Sequence, residues 1–143
     1  MIAVDTNLLV HAVRAESVHH ARAIGVMTSL AEGAGRWALP WPCVYEFVKI
    51  VTHPRIFAPP TALPEAIEMI EAFMDSPTVV LLGDGPSHRA FFRETVLHGR
   101  AVGNAVHDAH IAALALENGV TELLTADRDF GRFPGLRVRN PLV

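Results

Sequence analysis

The chain has 143 residues, half of them hydrophobic and 19% charged, with a net charge of −3. That is room for one domain, residues 1–143, with a sizeable core, and it excludes a disordered chain. The acidic balance argues against broad, non-specific nucleic-acid binding through a basic surface. It does not exclude a nucleic-acid enzyme, because carboxylates committed to cations lower the formal charge. Cys43 is the one cysteine, so no intrachain disulfide forms and nothing points to an oxidising compartment. No stretch approaches the roughly 18 uninterrupted apolar residues of a membrane span. Met1–Asp5 has neither the basic segment nor the apolar run of a signal peptide. The expectation is a cytoplasmic protein with no membrane association.

Ile2–Val4 is a short apolar run stopped by Asp5, and it predicts a buried strand. Asn7–Ala15 predicts a helix, and Ser17 is a candidate cap for a second helix running to about Glu32. Trp37–Leu39 is a second strand. Cys43–Thr52 is helical, with Val44, Phe47, Val48 and Val51 on one face. A loop, His53–Pro60, follows. Pro64–Met74 is a helix with proline in its first turn. Thr78–Leu82 is a third strand, and Pro86–His98 is a helix. Asn104–Asn118 is a helix stopped by Gly119. Glu122–Thr125 leads into a fourth strand ending near Asp127, and Leu136–Val138 offers a fifth. Short apolar strands alternating with helices predict an α/β fold with a parallel sheet of four to five strands covered on both faces. Ligands of such sheets bind beyond the carboxyl ends of the strands, where Asp5 and Asp127 fall.

Asp108 carries the most information. Its helical neighbours are Ala105, Ile111, Ala112 and Ala115, so it points with the apolar side of its helix. A carboxylate there must find a cation, a metal or a proton. The alternative is a buried salt bridge to an arginine. Glu46 lies at the edge of the apolar arc of Cys43, Phe47 and Ile50, and alone it reads better as a boundary glutamate facing water. Asp5 alone could simply cap the following helix. Asp127 and Asp129 sit in a segment whose aspartates suit a turn. Taken together, acids from separate segments whose fold brings them to one place are tolerated when a divalent cation neutralises them. Oxygen ligands favour Mg²⁺ or Mn²⁺, which can activate water and hold a phosphodiester for in-line displacement.

Other constellations are weaker. His107-x-x-His110 has helical spacing, but with Glu117 and Asn118 it falls on the polar face and reads as solvated, as does His19-His20. No C-x-x-C, G-x-S-x-G, P-loop or G-x-G-x-x-G occurs. Cys43 has no indicated base and reads as packing. Arg14, Arg55, Arg89, Arg93, Arg100, Arg128 and Arg132 are candidate phosphate contacts or ordinary solvated charges.

Asp5-Thr6-Asn7 directly after an N-terminal strand resembles the opening of PIN domains. Tyr45-Glu46-Phe47-Val48 resembles their helical glutamate, and Asp108-Ala109-His110-Ile111-Ala112 their third acid on its alanine-rich helix. Thr125-Ala126-Asp127-Arg128-Asp129-Phe130 resembles their last acidic motif. Val51–Phe57 and Phe133-Pro134-Gly135-Leu136 are similar to the VapC toxin subfamily. The resemblance implies a three-layer α/β/α fold and Mg²⁺- or Mn²⁺-dependent endoribonuclease activity. It also implies a homodimer and a cognate VapB-type antitoxin. Carried over by position, Asp5, Glu46, Asp108 and Asp127 are the acidic quartet that binds metal and supports catalysis. Thr6 and Asn7 are hydrogen-bonding residues within the site. Asp129 could share or replace the role of Asp127. Two rivals are a housekeeping RNA or DNA nuclease of the same fold and a catalytically silent binding module. For a partner, the expected surface is an apolar groove beside the acids, offering Leu8, Leu9, Val13, Ile56 and Phe57.

Overall fold

The computed structural model describes all 143 residues. Five strands form one wholly parallel sheet: β1 (Ile2–Val4), β2 (Trp37–Pro40), β3 (Val79–Leu82), β4 (Glu122–Leu124) and β5 (Arg137–Arg139). Their spatial order is β3-β2-β1-β4-β5. The chain steps outward from β1 to β2 to β3, then returns across the sheet to β4. Parallel crossovers are right-handed, so reversing the direction of travel reverses the face that the connecting helices cover. Helices α1 (Thr6–Val13), α2 (His20–Glu32), α3 (Trp41–Val51) and α4 (Leu63–Met74) therefore cover one face. Helices α5 (His88–Gly99) and α6 (Ala105–Glu117) cover the other. This is the expected α/β/α arrangement.

The central strands are the most apolar because they are covered on both sides. Ala3, Val4, Ala38, Leu39 and Leu123 are fully buried, whereas β5, at one edge, alternates charged Arg137 and Arg139 around Val138. Glu122, buried at the start of β4, is held by ion pairs to both of these arginines. Leu8 and Leu9 pack completely into this core, as do Phe47, Ile111 and Leu114.

Several boundaries differ from the sequence reading for identifiable reasons. Ser17 does not open a helix. Its hydroxyl accepts from the His19 backbone N–H at 3.1 Å and meets His11 Nδ1 at 2.6 Å, closing a turn, and α2 begins at His20. Helix α3 starts at Trp41, with Pro42 in its first turn where no backbone donor is needed. Strand β4 stops at Leu124, and a short 3-10 helix (Arg128–Arg132) replaces the simple turn expected around Asp127. Gly119, at φ +71, takes the left-handed position that ends α6.

The end of α5 lies tight against the aromatic ring of Phe133. A Cβ built on Gly99 would stand 2.5 Å from Phe133 Cε1 and 2.6 Å from Cδ1, and Phe133 is itself buried. Gly99→Ala therefore has to displace a core ring. The expected loss is about 1–3 kcal/mol, read as a lower midpoint in chemical denaturation with an unchanged slope. An unchanged midpoint would show that the ring swings aside freely.

Candidate active site

The sheet changes direction between β1 and β4, and that switch point is where the acids gather. The Asp5 backbone N–H donates to the Leu124 carbonyl at 3.0 Å, which brings the ends of the two strands together. Asp5 is also the N-cap of α1, its Oδ1 accepting from the Thr6 N–H at 2.8 Å. Capping and site membership, alternatives on sequence grounds, are both true of this residue. Its second oxygen accepts from Thr125 Oγ1 at 2.7 Å and from Asn7 Nδ2 at 3.0 Å. Asn7 closes the knot: Nδ2 also donates to Thr125 Oγ1 at 2.9 Å, and Oδ1 accepts from the Ala126 N–H at 3.0 Å. The Asp127 N–H donates to Thr125 Oγ1 at 3.0 Å, and Asp127 Oδ1 caps the 3-10 helix through the Asp129 N–H at 2.9 Å.

These residues open onto a cavity of about 340 Å³. Asp5, Glu46, Asp108 and Asp127 all line it, together with Thr6 and Asn7. The fold thus joins four carboxylates from four segments: the ends of β1 and β4, α3, and α6. Asp129 is exposed and does not line the cavity, so of the two neighbouring aspartates it is Asp127 that faces it. The other wall is apolar, formed by Val10, Ile50, Ile56 and Phe57, with His11 beside them.

Crowding the acids shifts their protonation. Burial pushes Asp5 up, against the hydrogen bonds from Thr125 and Thr6, and the nearby Glu46 charge adds to the rise. Asp108 is raised to about 6, first by burial and then by the charges of Asp127 and Asp5. No arginine or lysine pairs with it; every ion pair of the chain lies elsewhere. The salt-bridge alternative is therefore absent. Asp108 is half-buried rather than interior, because its helix turns it toward the cavity. For Glu46, burial alone would raise the pKa, but His107 and Thr6 outweigh it and the net shift is downward. His107 Nε2 lies 2.8 Å from Glu46 Oε2, and that contact raises the imidazole's pKa.

Thr125 and His107 stand at the site although neither is among the residues the sequence singles out for it. Thr125 looked like ordinary strand-end chemistry, and only the β1–β4 pairing shows that one hydroxyl serves Asp5, Asn7 and Asp127. His107 and His110 were expected to be solvated. Both are partly buried, and each holds a different carboxylate: His107 holds Glu46 and His110 holds Asp84. Glu117 was also placed on the solvated face, yet its side chain is 5% exposed and engages His88. Leu8 and Leu9 belong to the core and offer nothing to a partner, whereas Ile56 is 53% exposed at the rim of the cavity. Arg14 is committed to the fold. It donates to Thr61 Oγ1 and the Pro59 carbonyl, both at 3.0 Å, and stacks on Phe57 at 4.1 Å.

A raised aspartate pKa means that ionisation costs the folded state. For Asp108 the stabilising contribution is full below pH 3.8 and is lost as pH rises to about 6. In metal-free buffer at pH 7, Asp108→Asn should be more stable than the parent by about 1 kcal/mol after discounting for solvent screening at a half-exposed group. The Tm difference should be a few degrees and should vanish near pH 4. A variant melting below the parent at pH 7 would mean the charge is held rather than strained.

Residues 2–136 match the PIN domain family. Ribonuclease VapC43 of Mycobacterium tuberculosis is 39% identical over 142 residues, covering 99% of this chain and 96% of that protein. Ribonuclease VapC48 of the same organism is 34% identical over 137 residues, covering 96% and 94%. Among solved structures, VapBC2 from Rickettsia felis bound to a DNA fragment from its promoter superposes with a TM-score of 0.72 at 18% identity, covering 98% of both chains. VapC20 of M. tuberculosis, a sarcin–ricin loop cleaving toxin, superposes with a TM-score of 0.66 at 17% identity, covering 92% of this chain and 93% of that one. The last two show likeness of fold, while the full-length identities and the family match decide membership: the chain belongs to the PIN-domain family, in the group of the VapC ribonucleases.

Proposed function

We propose that the chain is a divalent-metal-dependent endoribonuclease and the toxin of a VapBC-type pair. The observation that carries this reading is the convergence of Asp5, Glu46, Asp108 and Asp127 on one cavity, with Asp108 lacking any cationic partner. Four carboxylates facing one space repel, and a hard divalent cation relieves that repulsion. The donors are all oxygens, the set that suits Mg²⁺ or Mn²⁺ rather than zinc or copper. Asp5 and Asp108 would be the principal ligands, with Glu46 and Asp127 completing the cage directly or through water. A bound ion of this kind lowers the pKa of water and stabilises charge developing on a phosphodiester.

The chain's own groups prepare that site. Both lone-pair directions of Asp5 Oδ2 are taken by Thr125 and Asn7, which fixes the carboxylate plane and leaves Oδ1, with the Thr6 N–H and only a weak S–H donor from Cys43, as the freer oxygen. Asn7 and Thr6 are positioning residues here. His107 holds Glu46 in its ionised form. Cys43 stays a neutral thiol, raised well above its usual range by burial and by the Asp5 charge, and its S–H donates weakly to Asp5 Oδ1 at 3.7 Å from behind the site.

We infer that the substrate is RNA, that the protein acts in the cytoplasm, and that residues 1–143 form a single domain. Its relatives are named ribonucleases, and a fold neighbour is a toxin–antitoxin complex, which supports a VapB-type antitoxin as partner; a homodimer as the working unit rests on the family resemblance alone. No helix is long and apolar enough to cross a membrane. The alternative of a silent binding module gives no role to an unpaired carboxylate raised to about 6.

Cleavage of an RNA by the purified chain should need Mg²⁺ or Mn²⁺ and stop in excess chelator. Asp5→Asn and Asp108→Asn should each lower the cleavage rate at least 100-fold while the far-ultraviolet circular dichroism stays native. Asp129→Asn should cost less than Asp127→Asn. Full activity in chelator, or in Asp108→Asn, would sink the metal-dependent reading.

The partner surface shrinks to Ile56, exposed at the rim of the cavity, with half-buried Phe57 beside it. Ile56→Asp should weaken antitoxin binding by 10-fold or more, and RNA cleavage by the free toxin should persist. Antitoxin affinity equal to the parent's would move the docking surface elsewhere.

A further inference from the structure

A second group of metal-ligating side chains lies outside the carboxylate cavity. The β3–α5 loop supplies Asp84, α5 supplies His88 and α6 supplies His110, and one donor atom of each lies within 4.8 Å of the others. His110 Nε2 is 2.8 Å from Asp84 Oδ1, and His88 Nε2 is 3.6 Å from the same oxygen. The two rings sit 5.1 Å apart, centroid to centroid. These groups line their own space of about 280 Å³, with Phe92, Val106 and His107.

The arrangement is oriented as well as close. Glu117 pairs with His88 Nδ1 and is 5% exposed, shielded from competing water. With Nδ1–H donated to that carboxylate, the neutral His88 ring presents its Nε2 lone pair toward Asp84. Carboxylate–histidine–metal relays use this outer contact to set tautomer and ring orientation. Asp84 Oδ1 accepts from His110 Nε2–H and lies beside His88 Nε2, with no lysine or arginine among them; a metal that displaced the His110 Nε2 proton would find all three atoms as ligands. Zinc bonds of about 2.0–2.1 Å in a tetrahedral site hold ligand atoms about 3.3 Å apart, between the 2.8 and 3.6 Å measured. Imidazole nitrogen separates this donor set from the all-oxygen cavity and selects zinc-type ions over Mg²⁺.

We propose that Asp84, His88 and His110 form a second divalent-metal site, for Zn²⁺, with Glu117 as the outer carboxylate that orients His88. Three protein ligands leave a fourth position open to the adjoining space. The ion would clamp the β3–α5 loop and α5 to α6, the helix that also carries Asp108. The inference stands on side-chain geometry and does not depend on the chain being a ribonuclease.

Co²⁺ is the probe, because its visible bands report coordination number and donor type directly. The full-length chain, stripped with chelator, is titrated with Co²⁺ in excess Mg²⁺, and Zn²⁺ is then added. One equivalent of Co²⁺ should give the intense bands of a four-coordinate nitrogen–oxygen site, and one equivalent of Zn²⁺ should abolish them. His88→Ala and His110→Gln should remove the bands. Asp84→Asn should weaken binding at least 10-fold; this residue is 60% exposed, so the variant keeps its fold. Glu117→Gln should weaken it by about 10–100-fold. Asp108→Asn should leave the titration unchanged. The proposal is overturned by an absence of bands, by bands that excess Mg²⁺ suppresses or Asp108→Asn abolishes, or by parental affinity in Asp84→Asn.

Discussion

Everything at the site hangs on one hydroxyl. Thr125 Oγ1 donates to Asp5 Oδ2 across the boundary between β1 and β4, and the same oxygen accepts from Asn7 and from the Asp127 backbone. These two strands are some 120 residues apart in sequence. The parallel ladder pairs Val4 with Leu124, and the next residue of each strand leaves the sheet already hydrogen-bonded to the other. A valine in place of the threonine would preserve the shape but leave Asp5 Oδ2, the Asn7 amide and the Asp127 N–H competing for fewer partners in a buried setting, where an unmet polar group costs about 1–3 kcal/mol. The position of the first acid, and the direction in which the chain leaves toward Asp127, are thus fixed by the same bond.

That scaffold holds a site in electrostatic conflict with itself. Asp5 and Asp108 are both pushed toward neutrality, while Glu46 is held ionised by His107. The protein divides the burden unevenly. Asp5 receives three short hydrogen bonds, Asp127 caps a helix, Glu46 has an imidazole, and Asp108 has no hydrogen bond or ion pair, only the more distant charge of His107. A ligand that relieves the conflict gains most at Asp108, and a positive charge arriving there from any source stabilises the folded state by linkage. A divalent ion and a basic side chain from a partner are in this respect competitors for one electrostatic vacancy.

Much of this was legible in the sequence. Apolar runs ending in aspartate place β1 and its acid, and the helical spacing of Ala105, Ile111, Ala112 and Ala115 turns Asp108 away from solvent. Element order follows from periodicity because each strand is short and buried on both faces. What the sequence hid were relations between segments. Leu8 and Leu9 look like surplus apolar surface until α1 is laid against α2 and α3, when both vanish into the core. The polar face of α6 looks solvated until α5 is packed on it, when Glu117 is buried against His88 and His110 finds Asp84. Helical spacing tells which residues share a face, but only the topology tells what that face meets. The 3-10 helix after β4 escaped for a local reason: Asp127-Arg128-Asp129 suits a turn and a cap equally, and the choice is made by the burial of Phe130 and Phe133 beneath it.

Helix α6 shows how a single element can serve several groups at once. His107, Asp108 and His110 are close neighbours in sequence, yet they face Glu46, the carboxylate cavity and Asp84 in turn. Successive residues on an α-helix are rotated by about 100°, so adjacent positions necessarily address different surroundings. The alanines on its buried side let this happen: Ala109, Ala112, Ala113 and Ala115 are fully buried, and such small side chains allow the helix to lie close to the sheet. Close approach brings Asp108 within electrostatic range of Asp5 and Asp127, while the imidazoles on either side reach outward to α3 and to the loop before α5. Any group that tightens the contact between α6 and its neighbours also fixes the distance between Asp108 and the other acids.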